Sequence, residues 1–125
     1  MTSKLFAFGI ILAVAFALYG QGTKTVKIDG YIIDNACAAG HVKDANFGER
    51  VKKHSTSCAL SPNCAESGYV VYTADAKLYK LDQAGNKSAE ELLKETDTKM
   101  GMQVSVEGTI DGDTIKVTRI TEKTN

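Results

Sequence analysis

The sequence predicts a mainly β fold of five strands, and two observations carry most of that prediction. Val26, Ile28 and Ile32 stand at even spacing along the stretch "TVKIDGYIID". Such alternation is typical of a strand with one buried face, and Gly30 within it predicts a bulge or bend. The second observation is that four more β-rich stretches follow the cysteine-containing segment, with turn residues between them.

The second and third strands are predicted to form a hairpin. The runs at 69–73 and 77–81 are rich in Tyr, Val and Leu, and they flank a short turn at Asp75-Ala76. Aromatic and β-branched residues favour strands, and a short turn between two such runs indicates a hairpin.

The last two strands are predicted within "MQVSVEGTIDGDTIKVTRI". Val104 and Val106 alternate with polar residues in the first of them, and Ile115 and Val117 continue the alternation in the second. The "DGD" at 111–113 lies between them and has the composition of a hairpin turn.

One amphipathic helix is predicted between the third and fourth strands, in "SAEELLKETDTKM". Ser88 and Glu91 have the spacing of a capping box, and Leu92 and Leu93 lie on the apolar side. The "GN" at 85–86 is interpreted as a break before this helix.

The order of these elements favours one architecture over another. Strand, insertion 35–67, strand, strand, helix, strand, strand is the order of a five-stranded barrel of the OB type. A closed barrel also removes the exposed edges that a flat sheet would leave. The alternative is a two-layer α+β sandwich built from the same elements. In an OB barrel, the loop between the first two strands borders the usual ligand face.

Part of this insertion is predicted to be helical. Phe47, Val51, His54 and Cys58 are spaced four, three and four residues apart, which places them on one face of a helix. A helix over 47–60 would therefore turn the imidazole and the thiol toward the body of the domain.

The N-terminal segment indicates export. Residues 1–20 are predicted to be a signal peptide, because Lys4 precedes an uncharged apolar run over 5–18 and small residues follow it. Cleavage before Gln21 would leave one small domain, 21–125, in the periplasm or outside the cell. An uncleaved anchor is the alternative, although the run is shorter than the ~20 residues that span a bilayer.

The charge balance excludes two classes of partner. The chain has 15 basic and 15 acidic residues, and loss of Lys4 with the signal leaves it nearly neutral. A neutral domain has no field to concentrate nucleic acid or an anionic membrane surface. We therefore expect no nucleic-acid partner and no stable membrane insertion after cleavage, and the partner class that remains is a protein or a small ligand.

All the cysteines and histidines lie in one segment, which predicts a site there. The candidate ligands are Cys37, His41, His54, Cys58 and Cys64. Four such nitrogen and sulfur donors suit tetrahedral zinc, and two imidazoles with one thiolate suit copper or an open zinc site. The spacing does not fix which four of the five would bind.

A disulfide is the alternative to a metal, because exported proteins keep disulfides. Cys58 and Cys64 would close a short loop, whereas a bond from Cys37 to either would close a larger one and stabilise more. With three cysteines, at least one thiol is left over. Thiol redox exchange ranks third, because the C-x-x-C spacing that activates a thiolate is absent.

Other candidate residues have structural explanations. Asp34, at the end of the first strand, would orient a ligand imidazole, although Asp-Asn is also ordinary turn chemistry. The Tyr residues of the strands resemble a stacking face for single-stranded nucleic acid, but barrel packing explains them. No nucleophile motif, phosphate loop or pair of catalytic carboxylates is found, so no enzyme class is indicated.

Four stretches, "GYIIDNACAAGH", "KHSTSCAL", "SGYVVYTADAKLYKLD" and "GTIDGDTIKV", resemble those of a group of small exported bacterial proteins of uncharacterised function. The resemblance covers nearly all of 21–125. It implies that the Cys/His cluster acts as a unit, without implying what the unit binds.

Three functional hypotheses follow. The first is an exported binding module whose insertion holds zinc or copper or is pinned by a disulfide. The second is a structural or interaction module with a stabilising disulfide and no metal. The third is a thiol redox protein.

Overall fold

The computed structural model describes residues 24–124, and the predicted signal peptide 1–20 lies outside them. Five strands and five short helices follow one another in these residues. The strands are β1 (Thr25–Asp34), β2 (Tyr69–Thr73), β3 (Leu78–Leu81), β4 (Gln103–Asp111) and β5 (Thr114–Glu122). The helices are α1 (Asn35–His41), α2 (Phe47–Lys52), α3 (Thr56–Ala59), α4 (Pro62–Glu66) and α5 (Gln83–Glu95). Among these residues, no helix is both long and apolar enough to cross a membrane.

The strands form one mixed sheet whose pairings close on themselves. The order of neighbours is β1-β2-β3-β5-β4, and β4 pairs back onto β1. Four of the pairings are antiparallel. The fifth, between β3 and β5, is parallel and short, with Lys80 opposite Thr114 and Leu81 opposite Ile115. The predicted set of five strands is therefore present.

Gly30 does not mark the predicted bulge. The ladder passes it without a shift on both sides, with Thr73 opposite it in β2 and Val104 in β4. A Cβ at this position would lie 2.4 Å from the carbonyl oxygen of Tyr72, so the neighbouring backbone comes too close for any side chain. The irregularity lies instead in the pairing of β4 with β5: Glu107 faces Arg119 and Gly108 faces Val117, so Thr118 of β5 is the extra residue.

The end of β1 is covered on both faces. Ile32 belongs to the main core inside the sheet, whereas the next residue, Ile33, packs against Phe47 and Val51 of α2. Asp34 follows, so three consecutive residues of β1 are buried. This burial of both faces carries the last carboxylate of the strand into the interior, next to the insertion.

Helix α5 begins earlier than the sequence predicts. Its N-cap is Asp82, whose side chain accepts a hydrogen bond of 2.9 Å from the backbone N–H of Gly85. The glycine predicted to break the helix is needed inside it, because a Cβ there would lie 2.5 Å from Cγ2 of Val117. The close approach of α5 to β5 therefore selects Gly85, and Ser88 lies within the helix instead of at its start.

The single helix predicted over 47–60 is two helices. α2 ends at Lys52, and the backbone oxygen of His54 accepts a hydrogen bond of 3.0 Å from the N–H of Gly101. Ser55 then forms a β-bridge with Met100. Because of these contacts with the segment before β4, residues 53–55 are not helical, and α3 begins at Thr56.

Candidate metal centre

Four donor side chains of the described residues converge where β1 meets the insertion. One donor atom from each of Asp34, Cys37, Cys58 and Cys64 lies within 4.8 Å of those of the other three. The carboxylate is buried and the three cysteines are half-buried. The first two come from the end of β1 and α1, and the other two come from α3 and α4.

Each cysteine is the third residue of a short helix, and this shared position brings them together. Cys37 is third in α1, Cys58 in α3 and Cys64 in α4. The side chains of Asp34 and Ser55 cap the first two helices by accepting hydrogen bonds of 2.9 and 3.1 Å from the N–H groups of their cysteines. Such caps fix the first helical turn, and with it the direction of the thiol.

The third helix is held by a related contact. The side chain of Ser61, which lies three residues before Cys64, donates a hydrogen bond of 2.7 Å to the backbone oxygen of Cys58. The hydroxyl of Ser67 donates one of 2.6 Å to the backbone oxygen of Cys64. Pro62 stands at the first position of this helix, where its missing N–H costs nothing. The helices α3 and α4 are thus tied to each other next to the two thiols.

Asp34 is ionised despite its burial. Burial alone raises the pKa of this carboxyl, but hydrogen bonds from the His54 imidazole and from the N–H of Cys37 outweigh it and hold the pKa at about 2. The imidazole Nε2 lies 2.7 Å from Oδ1, and the Cys37 amide donates to Oδ2. Both oxygens therefore have a fixed position, and the carboxylate carries a negative charge at neutral pH.

The thiols of Cys37 and Cys58 are protonated in the metal-free protein. Burial and the charge of Asp34 raise the pKa of Cys37 to about 12, and burial also raises the pKa of Cys58. A cation among the sulfurs would reverse this, since metal ligation deprotonates thiols. Binding of a metal is therefore expected to release protons.

The two predicted imidazole ligands lie outside this group of four. His54 contacts the carboxylate of Asp34, so this residue holds a donor in place. The side chain of His41 is 44% exposed, and its Nδ1 lies 2.8 Å from Oδ2 of Asp44. The sequence predicts His54 as a ligand and Asp34 as the residue that orients it. In the structure the carboxylate of Asp34 lies among the sulfurs, and the imidazole of His54 contacts that carboxylate.

All three cysteines are free in the structure. Cys58 and Cys64, the predicted disulfide pair, are therefore not bonded to each other, and Cys37 is not bonded to either. Three thiols and one ionised carboxylate remain available as donors at one place.

One signal in the sequence could have identified the set of four. Asp34, Ser55 and Ser61 each stand three residues before a cysteine, and both Asp and Ser are common helix N-caps. The pattern [DS]-x-x-C therefore occurs three times. It predicts three short helices, each starting next to a thiol, and it places the carboxylate of Asp34 beside Cys37.

Comparison of the chain with protein-family models, with curated proteins and with solved structures gave no match. Its function therefore rests on the geometry and chemistry of this centre.

Proposed function

We propose that this chain is an exported metal-binding module that holds one zinc ion with Asp34, Cys37, Cys58 and Cys64. The observation that carries the proposal is the convergence of these four donor atoms within 4.8 Å of one another. A tetrahedral zinc ion with thiolate and carboxylate ligands needs donors roughly 3.5–3.8 Å apart. Closing the group around an ion therefore takes movements of about 1 Å.

The donor types favour zinc over copper. Three thiolates would suit either zinc or monovalent copper, but a carboxylate oxygen is a hard donor that zinc accepts readily. Asp34 is fully buried and its two oxygens are held by His54 and by the amide of Cys37. A carboxylate oriented in this way is a typical zinc ligand, and the imidazole behind it is a typical supporting partner.

The positions of the four donors support a structural role for the ion. Cys37 follows β1 directly, whereas Cys58 and Cys64 lie on separate helices of the insertion. One ion would therefore fasten α1, α3 and α4 together. A small domain gains much of its stability from such a clip, because the binding energy of a structural zinc ion is also folding energy.

Export to an oxidising compartment is compatible with a bound metal ion. In the periplasm or outside the cell, three free thiols in contact would be prone to form a disulfide, and zinc ligation would keep them reduced. The closed order of pairing, β1-β2-β3-β5-β4, supports an OB-type barrel as the scaffold. In such a barrel the insertion after the first strand lies beside the usual ligand face.

The test is a count of metal and thiols on protein exported by its own N-terminus. We expect about one zinc ion per chain by native mass spectrometry and elemental analysis, and three titratable thiols after denaturation in a chelator. The variants Cys64→Ser and Asp34→Asn should lose zinc or bind it much more weakly. Asp75→Asn is the matched control, because Asp75 is an exposed carboxylate on the turn between β2 and β3.

Two outcomes would contradict the proposal. Metal-free protein that fails to take up zinc from a buffered solution would exclude a zinc centre. A mass two daltons below the reduced chain would show a disulfide and would favour the structural or interaction module instead.

A further inference from the structure

A cleft of about 420 Å³ opens beside the candidate metal centre. Cys37 and Cys58 line part of it, and the buried side chains of Ile33 and Phe47 form an apolar surface within it. This volume lies in the range of pockets that hold small organic ligands, and such pockets are mostly apolar with a few polar groups.

The charged residues of the cleft are predominantly basic. Arg50 and Lys53 line it together with a single acidic residue, Glu49. Lys53 has no carboxylate oxygen within 4.0 Å among residues 24–124, whereas Arg50 Nε lies 3.6 Å from Oδ2 of Asp44. The charge of Glu49 is partly offset, because its Oε1 lies 3.4 Å from Nζ of Lys52. Among the described residues that line the cleft, Lys53 is therefore the one lysine or arginine without an ion pair.

We propose that this cleft binds a small organic anion, with an apolar body against Ile33 and Phe47 and a carboxylate on Lys53. Arg50 adds a second positive charge near the same group. Asp34 and the sulfurs would repel a carboxylate once they hold an ion, since three thiolates and a carboxylate around zinc carry a net charge of about −2. This repulsion directs the acid group of the ligand away from the centre and toward the lysine.

The anion site does not require the metal. Its apolar surface and its cation belong to β1 and to the segment around α2, which pack together through Ile33, Phe47 and Val51, with Cys37 packed against the same cluster. Binding is therefore expected in the metal-free form and in the zinc form, and in both it should depend on Lys53.

The experiment uses fluorine NMR on the full chain with three probes of equal size. These are 4-fluorobenzoate, 4-fluorobenzamide and 4-fluorobenzylamine, which differ in charge only at one end. We expect saturable binding of the acid, with the neutral amide and the amine at least about tenfold weaker, since a charge-assisted contact is lost. Lys53→Gln should reduce the affinity for the acid about tenfold and bring it close to that of the amide.

Lys43→Gln is the control. Lys43 is exposed, does not line the cleft and has no carboxylate oxygen within 4.0 Å among residues 24–124. The control should bind the acid as the unmodified chain does. Equal affinity for acid and amide, unchanged binding in Lys53→Gln, or no saturation by the acid at millimolar concentration would overturn the proposal. Zinc content is measured on the same samples, so absence of zinc with intact binding of the acid would contradict the metal proposal alone.

Discussion

The imidazole Nε2 of His54 lies 2.7 Å from Oδ1 of Asp34 and so joins the chain just after α2 to the cap of α1. The imidazole side chain is 11% exposed and the carboxylate is fully buried. Because the other oxygen of Asp34 caps Cys37, this one contact orients the carboxylate and the first turn of α1 together. His54 thus helps to orient Cys37 through Asp34, although His54 itself lies outside the group of four donors.

Replacement of His54 should weaken metal binding without abolishing it. In His54→Gln we expect zinc affinity to fall about 10–100-fold, the usual cost of losing the partner that orients a ligand. His41→Gln should leave the affinity unchanged, because among residues 24–124 the imidazole of His41 forms its hydrogen bond with the exposed Asp44 and lies outside the group of four donors. Competition with a chromophoric zinc chelator measures both. A larger loss in the His41 variant would show that the imidazoles bind the ion directly.

The cap of α3 should matter to both stability and zinc. Ser55→Ala removes the side-chain oxygen that accepts from the N–H of Cys58, and loss of such a cap costs about 1 kcal/mol in the free energy of unfolding. Ser57→Ala, in the same helix but exposed, should cost much less. Urea unfolding of the metal-free proteins measures the first effect, and chelator competition measures any loss of zinc affinity. Equal behaviour of the two variants would contradict a role for the cap in directing Cys58.

Removal of the metal should loosen the insertion and leave the sheet intact. The amide of Ala59 donates to Ser55, and that of Ala65 donates to Ser61, so these two amides report on α3 and α4. After treatment with a chelator we expect their hydrogen exchange to accelerate, while amides of β4 around Val104 and Val106 stay protected. Uniform acceleration along the chain would instead mean that the ion holds the whole domain together.

Two glycines should respond oppositely to alanine. In Gly30→Ala the new Cβ would lie 2.4 Å from the oxygen of Tyr72 and 2.7 Å from Cγ1 of Val71, so strands must move apart. We expect a loss of about 1–3 kcal/mol in the free energy of unfolding, as for other overpacked positions. Gly40→Ala, in α1 with nothing within 4 Å, should be neutral or gain up to about 1 kcal/mol. Chemical denaturation of both variants provides the comparison.

The strands could be predicted because their signal is local. Alternation along β1, β4 and β5 records which face is buried, and turn residues mark where each strand ends. The start of α5 could not be predicted in this way. Considered with its sequence neighbours alone, Gly85 indicates a break in the helix. Its lack of a side chain is instead required by the close contact with Val117, which lies far away along the chain.

The site was predictable in part for the same reason. The cysteines were expected to meet, and they do. The long helical face through Phe47, Val51 and Cys58 was only half right, because bonds from the segment before β4 end α2 at Lys52. The burial of Asp34 also depends on packing from both sides of β1. The sequence around Asp34 does not indicate that other elements pack on both faces of β1 at this point.

The two ends of the insertion meet at one point. The N–H of Asn35 donates a hydrogen bond of 2.8 Å to the oxygen of Gly68, directly beside the pairing of Asp34 with Tyr69. Because the segment enters and leaves the sheet through adjacent residues, its length can change without shifting the register between β1 and β2. Its removal, however, would expose Ile33 and take away the imidazole that holds Asp34, so the insertion and the end of β1 form a single unit.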